Sequence, residues 1–256
     1  MLNPVAIINV IEISEAFMSV LKIENYTKIY GGNKKACDNV SLSVESGDIF
    51  GFIGHNGAGK STTIRAVVGV MDFDEGTIEI DGHDVRKEAL QCKKVTAYIP
   101  DNPDLYENLT GMQYLNFVAD AFGISQAERK EKITDYAKRF GIADALKSLI
   151  SSYSHGMKQK VAIIGALIHS PKLLVMDEPF VGLDPQAAFT LKEIMHEMCE
   201  NGSAVFFSTH VLDVAERLCN KIAIIKKGKI IANGNVEELI GERTLEEVFL
   251  EAVKDE

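Results

Sequence analysis

The chain has 256 residues, enough for one large domain or a domain with a subdomain, and 46% of them are apolar. Its 27 Lys and Arg against 37 Asp and Glu leave a net charge of −10, and no basic stretch stands out, which argues against a nucleic-acid groove built from cations at phosphates. No run of about 18 apolar residues occurs, so no segment is predicted to span a membrane, and Cys37, Cys92, Cys199 and Cys219 are scattered without metal-ligand spacing, as in a reduced cytosolic protein.

Residues 1–17, MLNPVAIINVIEISEAF, lack the basic start of a secretory signal, and Glu12 and Glu15 interrupt their apolar character. Met18 begins MSVLKIENYTKIYGG, a natural chain start, so residues 1–17 are expected to be a weakly attached N-terminal extension. The alternative is a short amphipathic segment that docks on a partner. Leu21 and Ile23 alternate with polar residues, as do Val40, Leu42 and Val44, and both stretches predict half-buried strands. Gly31-Gly32 and Ser46-Gly47-Asp48 are turns. Tyr30, ahead of the first turn, has two readings: a flat face for an adenine ring, or a strand-end tyrosine packed on the core.

Residues 49–53, IFGFI, are an apolar run that predicts a buried strand. The loop Gly54-His55-Asn56-Gly57-Ala58-Gly59-Lys60-Ser61-Thr62 follows, and Ile64, Val67 and Val68 then recur at helical spacing over 62–70. Strand, loop and helix in that order, with Gly54, Gly59, Lys60 and Ser61 spaced as G-x-x-x-x-G-K-[ST], make a phosphate-binding P-loop. The glycines let several backbone N–H groups point at one anion, and the helix adds its positive end. Lys60 can reach the β- and γ-phosphates, and the Ser61 hydroxyl can ligate Mg²⁺. This motif specifies a nucleoside triphosphate, but not which enzyme.

Residues 77–80 and 95–99 predict further strands, the second ending at the loop Pro100-Asp101-Asn102-Pro103. The character then changes to an all-helical insert, residues about 104–170. Thr110-x-x-Gln113 and Ser125-x-x-Glu128 are capping-box patterns. Behind them Met112, Leu115, Val118, Ala119 and Phe122, then Ile133, Tyr136, Ala137 and Phe140, sit at helical spacing, and such stripes ordinarily pack inward. Ser154 caps a helix over 156–168, and Ser154-His155-Gly156 is either a plain cap or a phosphate contact at a positive helix end.

Residues 172–179, KLLVMDEP, run an apolar strand into two acids and a proline. In a P-loop protein Asp177 at such a strand end holds the Mg²⁺ shell, and Glu178 beside it can accept a proton from an attacking water. Asp184 and Pro185 supply an N-cap and a first helical residue. The strand over 203–208 ends at Thr209-His210, where His210 can reach a γ-phosphate or serve as a structural histidine. Lys227-Gly228 turns a hairpin, Thr244-x-x-Glu247 caps a last helix carrying Leu245, Val248 and Phe249, and the tail 254–256 is expected to fray.

The order of these pieces resembles an ABC-type ATPase, the nucleotide-binding subunit of an ATP-binding-cassette transporter, over residues 18–256. The resemblance implies an α/β fold: a P-loop NTPase core with an antiparallel β subdomain and the all-helical insert subdomain. Tyr30 looks like the family's adenine-stacking aromatic, and Gly54, His55, Asn56, Gly57, Ala58, Gly59, Lys60, Ser61 and Thr62 its Walker A loop. LLVMDEP, residues 173–179, looks like its Walker B strand, with Glu178 as the base and Asp177 and Ser61 at Mg²⁺. Asp184 lies in a segment similar to the D-loop, and His210 resembles the switch histidine. Two positions depart from the pattern. Where the family usually has LSGGQ, this chain has Tyr153-Ser154-His155-Gly156-Met157, a variant similar to a branch paired with ABC-2-type permeases, many of them exporters. Asp101 stands at the position of the Q-loop glutamine; it can still contact Mg²⁺ or its water, but it is shorter and charged.

The implied mechanism is a head-to-tail dimer, with a second copy or a sister ATPase, in which Ser154, His155, Gly156 and Met157 act in trans on ATP bound at the partner's P-loop. The implied partner is an integral membrane permease gripped by the helical insert, with the chain cytoplasmic and peripheral on the inner face of the cell membrane. Alternatives are a soluble ABC-type ATPase or a nucleotide-dependent regulator without a permease. A GTPase reading fails because Asn33-Lys34-Lys35-Ala36 lacks the Asp of the guanine-reading motif and precedes the P-loop.

Overall fold

The computed structural model describes residues 19–32 and 34–254, so the predicted extension at 1–17 and the last two residues of the predicted tail lie outside the described residues. β1 (Ser19–Tyr30) and β2 (Lys34–Glu45) form a long antiparallel hairpin. β3 (Ile49–Ile53), the P-loop and α1 (Lys60–Val67) follow. Next come β4 (Glu75–Ile80), β5 (His83–Asp84), α2 (Ala89–Val95) and β6 (Thr96–Ile99). The helical stretch holds α3 (Gly111–Ala121), α4 (Gln126–Arg139), 3-10 turns at Ala143–Lys147 and Ile150–Ser152, and α5 (His155–Leu167). The chain continues through β7 (Leu173–Asp177), α6 (Pro185–Glu200), β8 (Ala204–Thr209) and α7 (Leu212–Leu218). It closes with β9 (Lys221–Lys226), β10 (Lys229–Asn235), α8 (Val236–Ile240) and α9 (Leu245–Lys254).

Two sheets result. β2-β1-β4-β5 is antiparallel, and β10-β9-β3-β8-β7-β6 is parallel except for its edge strand β10. Every residue of β3, β7 and β8 is buried, as expected of parallel strands covered on both faces. Alternate residues serve opposite cores. Phe50, Phe52, Val175 and Phe206 pack with α1 and the antiparallel sheet, while Ile49, Ile53, Met176, Val205 and Phe207 pack with α5, α6 and the helical insert. The expected α/β core, antiparallel subdomain and helical insert are all present.

The helix starts follow their predicted caps. The Thr110 hydroxyl accepts from the Gln113 backbone N–H at 3.2 Å while the Thr110 N–H donates to Gln113 Oε1 at 2.8 Å. Thr244 and Glu247 repeat the pattern at 3.2 and 3.0 Å. Ser125 and Ser154 each cap a helix from their hydroxyls, but the box expected at Ser125 does not close, because the Glu128 carboxylate accepts from Lys132 Nζ at 2.7 Å instead. The P-loop helix begins at Lys60, as expected, but ends at Val67, short of the 62–70 stripe, and Val70 is left exposed. β5 and α2 were not predicted; α2 buries Cys92 alone, too thin a stripe to announce a helix. Leu115, Ala119, Ile133, Ala137 and Phe140 pack inward as expected, but Met112 and Phe122 are exposed, as is Phe117. Among the described residues no helix is long and apolar enough to cross a membrane.

Candidate functional site

The site gathers at the carboxyl ends of the parallel strands, where ligands bind in open α/β sheets. β3 delivers Gly54, and the chain turns at once. Lys60 Nζ donates to the Gly54 carbonyl at 2.7 Å and lies 3.4 Å from the His55 carbonyl, so the loop wraps around its own lysine. Gly59 sits at φ 118°, and a Cβ there would lie 2.8 Å from the Ala36 carbonyl oxygen. A side chain is excluded twice over, by conformation and by space.

β7 delivers the acids. Its register pairs Asp177 with Ser208 on β8. The Ser208 hydroxyl donates to Asp177 Oδ1 and accepts from the Glu178 N–H at 3.1 Å, so one hydroxyl fixes both acidic residues. Glu178 has φ 49°, a left-handed conformation that costs a non-glycine residue about 1 kcal/mol or more. Its Oε1 lies 3.4 Å from Lys60 Nζ and 2.9 Å from His210 Nδ1. Lys60 at the start of α1, Glu178 after β7 and His210 after β8 therefore converge. This can position a water and neutralise charge developing on a phosphate.

Asp177 Oδ2 is buried and has no hydrogen-bond partner. An orphaned carboxylate oxygen beside a P-loop suits a cation, so the residues present fit Mg²⁺ held jointly with phosphates. Among the described residues no cluster of three His, Cys, Asp or Glu is placed to hold an ion by itself.

A cleft of about 650 Å³ is lined by Lys60, Ser61, Asp177 and Glu178; His210 stands outside its lining and joins the group through Glu178. Tyr30 forms part of its wall, half-exposed rather than packed in the core, and Asp101 and the exposed parts of the P-loop line it as well. Asp101 is exposed and accepts from the Asn102 N–H at 2.9 Å. Lys34, Lys35 and Lys227 also line the cleft; they follow the glycine turn and occupy the hairpin tip, and only their closeness in sequence to Tyr30 and Gly228 hinted at this.

The residues Ser154, His155, Gly156 and Met157 do not line the cleft. Ser154 and His155 are exposed at the start of α5, and the Ser154 hydroxyl accepts from the Met157 N–H at 3.3 Å. His155 lies over Gly182, whose added Cβ would meet the imidazole at 2.6 Å. Asp184 caps α6 through the Ala187 N–H at 2.9 Å and faces Lys160 of α5 at 2.7 Å. The Lys160 ammonium, aided by that backbone N–H, holds the Asp184 carboxyl below the usual carboxylate range.

A family model described as ABC transporter matches residues 37–181, which span the P-loop, the helical insert and the Asp177-Glu178 strand end. The chain belongs to the ABC transporter family. The ABC-type transporter ATP-binding protein EcsA of Bacillus subtilis (strain 168) is 38% identical over 244 residues, 93% of this chain and 98% of that protein. A solved structure of an ATP-binding subunit of an ABC transporter matches with a TM-score of 0.88 at 34% identity, covering 92% of this chain and 100% of its own. CbiO1 from Clostridium perfringens, part of the ABC transporter complex cbiONQ, matches with a TM-score of 0.75 at 26% identity, over 88% of this chain and 91% of its own. This ABC chain is accordingly an ATP-binding ATPase with the P-loop NTPase fold.

Proposed function

We propose that this ABC subunit hydrolyses ATP to drive substrate movement, in the export direction, through a separate integral membrane permease. The observation that carries the chemistry is Glu178 Oε1, shared between Lys60 and His210 at 3.4 and 2.9 Å. Tyr30 stacks on the adenine, and the P-loop from Gly54 to Thr62 cradles the phosphates. Asp177 Oδ2 and the Ser61 hydroxyl would hold Mg²⁺, with Asp101 as a further oxygen donor, and the ion supplies charge neutralisation at the phosphates. Glu178 accepts the proton of the attacking water, Lys60 holds the phosphate oxygens, and His210 orients the γ-phosphate.

Two copies, or this chain and a sister ATPase, close head to tail. Ser154 and His155 sit exposed, and Ser154 to Met157 all lie outside their own cleft, which suits a role at the partner's ATP. The exposed aromatic residues of the insert suit a permease contact, with the chain on the inner face of the membrane; export follows the resemblance of YSHGM to the ABC-2 branch. Glu178→Gln is expected to bind MgATP within about threefold of wild type and to lose about 10²–10⁴-fold in turnover. Undiminished turnover would rule out Glu178 as the base. Purification of the tagged chain from detergent-solubilised membranes is expected to bring down one multi-spanning protein. Recovery of no membrane protein under any nucleotide condition would remove the permease from the reading.

A further inference from the structure

Helix α9 lies beyond the residues matched by the family model, yet it touches the nucleotide loop. Phe249 is buried to 5% exposure, and its ring meets the imidazole of His55 edge-on, with centroids 4.9 Å apart and planes at 67°. His55 is the second residue of the P-loop and is otherwise exposed. Its carbonyl accepts from the Ala58 N–H at 3.1 Å and faces Lys60 Nζ at 3.4 Å. The orientation of this one peptide therefore bears on both the turn of the loop and the seat of its lysine.

The helix is anchored at both ends. The Leu245 N–H donates to Glu216 Oε2 at 2.7 Å, fixing its start against α7. Lys226 Nζ donates to the Val253 carbonyl at 2.8 Å, fixing its end against the hairpin whose next residue, Lys227, lines the cleft. The reciprocal cap between Thr244 and Glu247 holds its first turn, and Leu245 and Val248 fill the core beneath. Phe249 is thus carried on a pinned helix, pointed at the exposed half of a loop that must present its N–H groups in one arrangement.

We propose that Phe249 is a positioning residue for the P-loop: through the His55 ring it holds the His55–Gly57 segment in its nucleotide-binding conformation, so that α9 and the nucleotide are energetically coupled. A loop held in its bound shape loses less freedom when ATP enters. Coupling of this kind is reciprocal, so ATP in turn secures α9. An aromatic edge contact predicts an effect of about three- to tenfold in affinity. The role is independent of which residue activates water and of any membrane partner.

The test uses the full chain with Phe249→Leu, which keeps apolar volume but removes the aromatic edge, and Phe249→Tyr, which restores a ring. Phe249→Leu is expected to raise the MgATP Kd and KM about three- to tenfold while leaving kcat at saturation within about twofold, the pattern of lost uniform binding. Phe249→Tyr is expected to recover the affinity. In a His55→Ala background, Phe249→Leu is expected to add little, because the ring it acts through is gone. Saturating MgATP is expected to slow amide exchange across α9 in the wild type and much less in Phe249→Leu.

A Phe249→Leu protein with a lowered melting temperature but unchanged MgATP Kd would overturn the proposal, since Phe249 would then be core packing alone. Full additivity with His55→Ala would overturn it as well. Should Phe249→Leu fail to fold, His55→Ala decides: its exposed site tolerates truncation, and an α9 whose exchange still responds fully to MgATP in that variant refutes the coupling.

Discussion

The parallel strands and the helical insert spend similar apolar residues in opposite ways. β3, β7 and β8 bury every side chain, and Phe206 is enclosed between Phe50 and Phe52 at ring distances of 5.8 and 5.5 Å. The insert buries Leu115 and Ala119 but leaves Met112, Phe117 and Phe122 partly exposed, with Tyr106 set edge-on to Phe117 at 5.6 Å and Phe122 stacked on His169. The strand ends hold a lysine and a histidine within about 3.4 Å of one carboxylate oxygen, and close packing on both faces provides that rigidity. The insert carries no such constellation, and several of its aromatic rings stay partly exposed while touching one another. One region is shaped by internal precision, while the other presents the exposed apolar side chains assigned above to the proposed permease contact.

The contrast can be broken at its strongest point first. Phe206→Ala is expected to cost about 3–5 kcal/mol of folding stability, read from the denaturant midpoint, because rigid strands on both sides prevent collapse of the cavity. A cost under about 1 kcal/mol would mean that the core relaxes freely and that rigidity is not what positions the site. Ser208→Ala is expected to cost less, about 1–3 kcal/mol, since Asp177 Oδ1 loses its hydroxyl donor while the Glu178 N–H retains the Ser208 carbonyl at 3.2 Å. Turnover of that variant should fall further than its stability, as both acidic residues lose a shared support. Phe117→Ala sits at the other extreme. Its stability is expected to change by no more than about 0.5 kcal/mol, while recovery of the membrane partner on the tagged chain declines. A large loss of stability with undiminished recovery would make the insert's aromatic face ordinary packing.

Much of the site was legible because its parts are local. The P-loop, the Asp177-Glu178 strand end and the Asp184-Pro185 helix start each place their chemistry within a few consecutive residues, and the structure brings the first two into one cleft. What was not legible depends on which strands become neighbours. The double use of Ser208 requires the β7–β8 register, and neither strand announces it alone. The contact of His155 with Gly182 joins the start of α5 to the loop before α6, and that of Phe249 with His55 joins the end of the chain to its P-loop. The exposure of Met112 and Phe122 escaped detection for a different reason. Helical periodicity marks an apolar face, but not whether this chain covers it.

Glu178 carries a further consequence through its left-handed backbone. Glycine at this position would relax the conformation and gain about 1 kcal/mol, at the expense of the carboxylate. With Glu178 as the proposed base, heat resistance and chemistry pull this residue in opposite directions. On that proposed role, a library ranked by melting temperature alone drifts toward inactive chains at residue 178, and a screen that scores phosphate release retains the strained glutamate.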